Sequence, residues 1–235
     1  MILCSYIPNP AVQCVARNSF ISHTSSLNTE PQMSRSSNRE KILVEGMRVV
    51  LQHGLGGASV RDIVQAAGVP QGSFTNHFVS KEAFGRELLD IYFENIRSVI
   101  DDTLRNNAVR PLTGLRNFIS ANQMRLERDG MQNGCLSGNF SAEAIDQSEG
   151  IRLQLIVIFN EIRNSVAYCL RRAVREGAVP VDIACDDLAG AVVGGLQGAI
   201  LLSKVQRNAS AIEQFEYVLF SLVLQRPDLL TKSPT

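Results

Sequence analysis

The side chain best suited to covalent chemistry in this 235-residue sequence is Cys135, within the stretch NGCLSGNFSAE at residues 133–143. Glycines and small polar residues surround it, and they offer a buried thiol little apolar surface. A thiolate attacks electrophiles and oxidants, and a nearby ammonium group or helix N-terminus favours that form. Because Cys135 precedes a possible helix start, SGNFSAEAI, it is a candidate reactive group.

The remaining cysteines and the histidines do not form a recognisable metal motif. The five cysteines are Cys4, Cys14, Cys135, Cys169 and Cys185. None are paired as C-x-x-C, and no two of the three histidines are four residues apart, so we predict no zinc site and no cofactor. The odd, scattered set indicates reduced thiols in a cytoplasm. Cys169 and Cys185 lie within helical patterns that predict core positions, and we assign no role to Cys4 or Cys14.

Composition favours one or two globular domains, since 45% of residues are hydrophobic and 20% are charged. The net charge is zero, so any nucleic-acid surface must be a local patch. The apolar runs at residues 153–159 and 189–202 are short, glycine-rich or interrupted by polar residues, and we predict no membrane span.

Residues 1–37 are rich in Ser, Asn and Pro without a helical period, which predicts a flexible N-terminal extension. This segment lacks the basic and apolar regions of a signal peptide in good form. Met33 directly precedes the first periodic segment, so translation from Met1 and from Met33 are both open. Residues 226–235 are expected to form a C-terminal tail.

Four helices are predicted in the next part of the chain. The first begins at Asn38 and ends near Gly54, a position for a left-handed C-cap. Ser59 with Asp62 three residues later resembles a capping box for a short second helix that ends at Gly68. A third short helix follows in VPQGSFTNHF, and Ser80 is a candidate N-cap for a fourth. Two short helices joined by a tight turn are typical of a helix-turn-helix.

The segment from Gly54 to Phe84, GLGGASVRDIVQAAGVPQGSFTNHFVSKEAF, resembles the DNA-binding domain of the TetR/AcrR family of bacterial transcriptional regulators. The shared order is G-x-x-x-x-S/T-V-x-D-I-x-x-x-A-G-V-x-x-G-x-x-Y-x-H-F-x-S-K-E. One departure is Thr75, where the family usually has Tyr, so the usual operator preference is not carried over. The resemblance implies an all-α fold, with a helix-turn-helix domain at residues 38–84 and a helical ligand-sensing and dimerisation domain at residues 85–225.

The predicted DNA-binding residues share a position on the second and third helices or at the start of the fourth. They are Ser59, Arg61, Gln71, Gly72, Ser73, Thr75, Asn76, His77 and Lys81. A helix N-terminus can hold a phosphate, and polar side chains of a recognition helix can bond phosphates or base edges. The alternatives are that Ser59 only caps its helix, that Lys81 is a solvated charge and that His77 is structural.

The chain beyond Arg110 shows further helical periodicity and no strand-like alternation. Residues 186–207 carry several glycines that would let another helix approach closely. In the resembled family the last two long helices form a four-helix interface with a partner subunit. A homodimer would place two recognition helices about one turn of double-stranded operator DNA apart.

The motifs GCLSGNFSAE and GGLQGAILLSKVQRN look like a NemR/AcuR-like subgroup of this family, whose members respond to reactive electrophiles, oxidants or small unsaturated acids. In that subgroup the cysteine of G-C-L-x-G-N is implicated in sensing, and here it is Cys135. Lys204 matches the subgroup's lysine in the penultimate long helix. A sulfenic acid at Cys135 could be trapped by a neighbouring nitrogen or thiol, which would keep the switch reversible.

The sequence therefore predicts a cytoplasmic DNA-binding repressor, released from its operator when Cys135 is modified. The alternative is induction by a non-covalent small ligand, with Cys135 an inert thiol that lines the pocket. A thiol enzyme needs a base beside the cysteine, yet His23, His53 and His77 lie in the tail or the DNA-binding segment. An architectural DNA-binding protein would leave the large second domain unexplained.

Overall fold

The computed structural model describes residues 37–143, 146 and 148–225, and every regular element in them is a helix. In chain order the helices are α1 (Asn38–Gly57), α2 (Val60–Ala66), α3 (Gly72–His77), α4 (Lys81–Asp102), α5 (Pro111–Arg128), α6 (Leu136–Glu143), α7 (Glu149–Arg175), α8 (Cys185–Gln206) and α9 (Ser210–Tyr217), which continues into a π-helical turn, Val218–Val223. The predicted all-α fold is confirmed. The predictions for Cys4, Cys14, Met33, the N-terminal extension before Ser37 and the C-terminal tail lie outside the described residues.

Serine side chains cap the N-termini of α2 and α4, as the sequence predicts. Ser59 and Asp62 form a reciprocal capping box at α2, and Ser80 caps α4 through the amide of Ala83. The hydrogen bonds from Ser59 hold the pKa of Asp62 below its ordinary value. Gly54 has the expected positive φ of 76°, but α1 resumes after this kink and continues to Gly57.

Phe84 is the centre of the helix-turn-helix core. Its ring is fully buried and lies 5.4 Å from the ring of Phe74 and 5.1 Å from that of Phe78, centroid to centroid. A Cβ on Gly46 would lie 2.5 Å from Cζ of Phe84, so α1 approaches the ring where it has no side chain. The predicted domain boundary between residues 84 and 85 falls inside α4, which runs without a break from this core into the second half of the molecule.

The C-terminal half is built from α5, α7, α8 and α9, with α7 its longest helix at 27 residues. Cys169 lies fully buried in α7, as predicted, and burial raises the pKa of its thiol to about 11. Cys185 is only partly buried at the start of α8, which corrects the core position expected for it. Among the helices described, α8 alone has the length and hydropathy to cross a membrane, and here it packs against α7 and α9.

Candidate functional site

The helix α3 exposes a polar surface. Gln71 just before it, together with Thr75, Asn76 and His77, is exposed to solvent. Ser59 and Arg61 are exposed at the start of α2, and Gly72 is exposed in the first turn of α3. Seven of the nine predicted DNA-binding residues are therefore exposed, and Lys81 is half-buried at the start of α4.

Ser73 differs from its prediction. Its side chain is buried, with 8% of its surface exposed, and its Oγ lies 3.5 Å from Nδ2 of Asn38, which donates to it. The residue belongs to the face of α3 that packs on α1, beside the buried Phe74. Spacing along a six-residue helix left its orientation undetermined, and the structure removes Ser73 from the DNA-facing set.

Two hydroxyls of the predicted surface are already hydrogen-bonded within their own helices. Thr75 donates from Oγ1 to the carbonyl oxygen of Gly72 at 3.1 Å. Ser59 accepts a hydrogen bond from the amide of Asp62 and donates to its carboxylate. Gln71 and Asn76 are exposed amide side chains, a type that can bond base edges.

The last turn of α1 is held from both halves of the molecule. The amide of Gly56 donates to Oε2 of Glu143 at 3.3 Å, and the carbonyl oxygen of Gly56 accepts from Nζ of Lys81 at 3.0 Å. Glu143 is the final residue of α6, so this helix reaches directly to the DNA-binding half. Sequence reasoning missed Glu143, and the kink at Gly54 was the only local hint of a close approach.

Gly54 provides a test of this contact. An added Cβ would lie 2.2 Å from Oε2 of Glu143, and the backbone conformation is one that essentially only glycine adopts. We expect Gly54→Ala to lower the free energy of unfolding by about 1–3 kcal/mol in chemical denaturation. Adding Glu143→Ala should recover part of that loss, because it removes the carboxylate that obstructs the new methyl group.

The matched control is Gly177→Ala. Gly177 also has a positive φ, 68°, but no atom lies within 4 Å of a Cβ placed there. Adding Glu143→Ala to that variant should give no recovery. Equal stability of Gly54→Ala and its double variant would show that the carboxylate is not the obstacle.

Cys135 lies immediately before α6, and its carbonyl oxygen accepts the amide of Asn139 at 2.8 Å. The helix thus begins at Leu136, as the sequence suggests. However, Cys135 is only 7% exposed and belongs to the hydrophobic core. The expectation of little apolar surface around this thiol is wrong, because distant helices supply the packing that its sequence neighbours lack.

Lys204, the predicted partner of this thiol, lies beside the residue that precedes Cys135. A Cβ on Gly134 would be 3.2 Å from Cδ and 3.9 Å from Nζ of Lys204, so this lysine of α8 packs against the residue before Cys135. The hydroxyl of Tyr92 on α4 donates to Sγ of Cys135 at 3.5 Å. In the sequence Tyr92 belongs to the apolar stripe of α4 with Leu88 and Ile96, and this pattern gives no signal of a polar contact.

A cavity of about 370 Å³ opens beside Cys135, with Tyr92 also in its wall. Its buried interior is apolar and is formed by Phe118, Ile162, Val166, Val192 and Leu196. Exposed Ser98, Asp102 and Arg128 mark where it reaches the surface. A small molecule with an apolar body therefore fits beside the thiol.

Arg125 joins the cavity wall to the backbone before the thiol. Its Nη1 donates to the carbonyl oxygen of Gly134 at 2.9 Å, and its guanidinium carbon lies 5.7 Å from the centre of the Tyr92 ring. Within the described part of the chain, no three His, Cys, Asp or Glu side chains gather in a way that could hold a metal ion.

Both halves of the chain match known protein families. Residues 42–88 match the family described as Bacterial regulatory proteins, tetR family, and residues 111–219 match the Tetracyclin repressor-like, C-terminal domain. The HTH-type transcriptional repressor DhaR of Mycobacterium sp. (strain GP1) is 38% identical over 192 residues, which span 82% of this chain and 95% of DhaR.

Two further regulators are related at lower identity. The transcriptional regulator AcuR of Cereibacter sphaeroides is 28% identical over 75% of this chain and 80% of its own length. The HTH-type transcriptional repressor NemR of Escherichia coli (strain K12) is 30% identical over 48% of this chain and 57% of NemR.

Solved structures share the whole described architecture. The crystal structure of regulatory protein TetR from Rhodobacter sphaeroides superposes with a TM-score of 0.73 at 28% identity, over 77% of this chain and 95% of that one. The reduced form of E. coli NemR superposes with a TM-score of 0.65 at 25% identity, over 78% and 95% of the two chains.

Proposed function

This chain belongs to the TetR family of bacterial transcriptional regulators, and from that premise we propose that it is a repressor released from its operator when an electrophile or oxidant modifies Cys135. The observation that carries the proposal is the position of the thiol. Cys135 borders a cavity that a small reagent can enter, and it precedes a helix whose last residue, Glu143, contacts the DNA-binding half.

The helix α6 supports a direct route from thiol to DNA. It holds Cys135 just before its first residue and Glu143 at its last, where the carboxylate accepts the amide of Gly56. In this proposal the part of an added group that does not fit in the cavity presses on the closely packed start of α6 and displaces that helix. That shift would move the end of α1 and with it the orientation of α2 and α3.

Release from the operator requires that modification change the free-energy difference between a state that binds DNA and a state that does not. A modification that favours the state unable to bind DNA by about 5.5 kcal/mol would raise the population of that state from about 1% to about 99%. Lys204 supports the reactive form of the thiol in this proposal, since an ammonium group near a sulfur favours the thiolate. Its side chain packs against Gly134, the residue before Cys135, and this contact supports that role.

The DNA-facing surface is proposed as the exposed part of the predicted set: Arg61, Gln71, Gly72, Thr75, Asn76 and His77, with α2 oriented by the Ser59 cap. Lys81 would exchange the carbonyl oxygen of Gly56 for a DNA phosphate. Because operator DNA is the partner, we place the protein in the cytoplasm.

The decisive experiment replaces Cys135 with serine. We expect Cys135→Ser to bind DNA from its own upstream region as tightly as the unmodified protein. Release from that DNA by N-ethylmaleimide or hydrogen peroxide, measured by fluorescence anisotropy, should be lost in the variant, because the hydroxyl is a far weaker nucleophile than a thiolate.

The matched control is Cys185→Ser, which removes a partly buried thiol at the start of α8. Its operator complex should dissociate on treatment as the parent complex does. Release that survives in Cys135→Ser would reject modification of this thiol as the switch.

A second candidate is induction by a non-covalent ligand, and the cavity itself favours it. Its apolar interior suits a small organic molecule that binds without reaction, with Cys135 only a wall residue. The same variant separates the two proposals. A non-covalent inducer should still release Cys135→Ser from DNA, and its effect should reverse on dialysis.

We also propose that the protein is a homodimer, as members of this family are. Large apolar side chains remain exposed along α8 and α9 in the single chain. They form a surface, here called the dimer face, that contains Leu201, Leu202, Val205, Tyr217, Val218 and Leu222. Gly190, Gly194 and Gly198 of α8 have no atom within 4 Å of an added Cβ, so a partner helix has room to approach them.

A further inference from the structure

Tyr92 is the one hydroxyl in hydrogen-bonding contact with Cys135 among the described side chains. Resting on the proposed function, we infer that Tyr92 is a positioning residue of the sensor. Its hydroxyl donates to the Cys135 sulfur, so that a chemical change at that sulfur displaces Tyr92 and with it α4. The contact joins a residue of α4 to the residue just before α6.

The hydroxyl of Tyr92 is a permanent donor. Burial is the main reason that its pKa lies well above the ordinary tyrosine value, so the group keeps its proton at any physiological pH. Hydrogen bonds strengthen when the acceptor is ionised. Tyr92 therefore holds the thiolate more strongly than the thiol, and this difference favours the nucleophilic form.

The ring of Tyr92 is also held in place by Arg125. The Arg125 guanidinium lies over the Tyr92 ring, and the same side chain donates to the carbonyl oxygen of Gly134. Tyr92, Arg125 and the backbone before Cys135 thus form one connected group. Because the ring is already fixed, Tyr92 loses little side-chain entropy when its hydroxyl bonds to the sulfur.

Tyr92 gives the sulfur a second connection to the DNA-binding half, independent of Glu143. Phe84 lies eight residues earlier on α4, about two helical turns away, and its ring packs on Phe74 of α3. A substituent on Sγ occupies the space in front of the hydroxyl. Tyr92 must then turn away, and the displacement reaches α3 along a continuous helix.

The reaction with a conjugated carbonyl compound shows what Tyr92 does and does not supply. In N-ethylmaleimide the thiolate sulfur bonds to one alkene carbon and the carbon–carbon π bond opens. The neighbouring carbon then takes a proton from water, which balances the proton that the thiol released on ionisation. No further reactant is required. Tyr92 keeps its own proton throughout and acts only through the thiolate that it stabilises.

The test is the rate at which N-ethylmaleimide adds to Cys135 in Tyr92→Phe, followed by mass spectrometry of the Cys135 peptide over a range of pH. We expect the rate near neutral pH to fall about threefold to tenfold, the range expected for the loss of one hydrogen bond of ordinary net strength. The rate profile should move to higher pH and reach the same plateau. A lower plateau without movement along the pH axis would indicate altered access only and would overturn the inference, as would an unchanged profile.

The matched control is Tyr168→Phe. Tyr168 also loses a hydroxyl hydrogen bond, to Oδ1 of Asn107 at 3.0 Å, on a different helix. This variant should keep the parent rate profile, and a shift equal to that of Tyr92→Phe would overturn the inference. Because no DNA is present, the result is distinct from the proposed function: operator release that survives in Cys135→Ser rejects the switch, whereas these rates test Tyr92 itself.

Discussion

Replacing Phe84 with alanine is expected to lower the free energy of unfolding by about 3–5 kcal/mol and to abolish operator binding at physiological temperature. The ring is fully buried between Phe74 and Phe78, and Gly46 fits closely against it. Truncation leaves a cavity at the point where α1, α3 and α4 meet. The surrounding helices cannot collapse into it without changing the angle of α3.

Urea denaturation followed by circular dichroism measures this effect. The matched control is Phe159→Ala, since Phe159 is only partly buried on α7 and far along the chain from the DNA-binding helices. That variant should lose less stability and keep its affinity for operator DNA at a temperature where it is folded. A loss at Phe84 no greater than at Phe159 would contradict the central role assigned to this ring.

Replacing Val205 with glutamate is expected to convert the proposed dimer into a monomer. Val205 is 73% exposed on the dimer face in the single chain. In a dimer its burial would bring two carboxylates into an apolar interface, where an unpaired charge is strongly unfavourable. Sedimentation velocity should show a single species of one chain's mass.

The same variant should bind operator DNA at least a hundredfold more weakly. A monomer contacts one half-site, and it loses the high effective concentration that links the second contact to the first. Val181→Glu is the matched control, because Val181 is 86% exposed in the connection between α7 and α8, outside the dimer face. A Val205→Glu protein that remains dimeric would place the interface elsewhere.

Local patterns were sufficient for the helix starts and the turn of the DNA-binding half. Ser59 with Asp62, and Ser80 before Lys81, are signals complete within three or four residues, and the structure reproduces both caps. The contact between the rings of Phe74 and Phe78 agrees with their spacing of four, with Phe78 the cap residue directly after α3. Each of these features depends on neighbours in the chain, which the sequence displays directly.

The surroundings of Cys135 depend instead on residues far along the chain. Its burial comes from the way α4, α5, α7 and α8 close around the start of α6, and no local pattern encodes that packing. The orientation of Ser73 and the reach of Glu143 to Gly56 have the same origin. The glycines of α8 show the same dependence on distant residues. The sequence does not tell which of them contacts another helix, and in the described structure only Gly195 does so closely, against Phe215 of α9.

The enclosed position of Cys135 makes the proposed switch slow to return to its starting state. A small reagent can enter a cavity of about 370 Å³, but a folded reductase cannot bring its own thiol to a sulfur that is only 7% exposed. Repair of an oxidised Cys135 is then left to small diffusible thiols or to local opening of the helices. The regulated genes would stay expressed until the modification is removed from the Cys135 sulfur. Their expression would therefore continue after the reagent itself has gone.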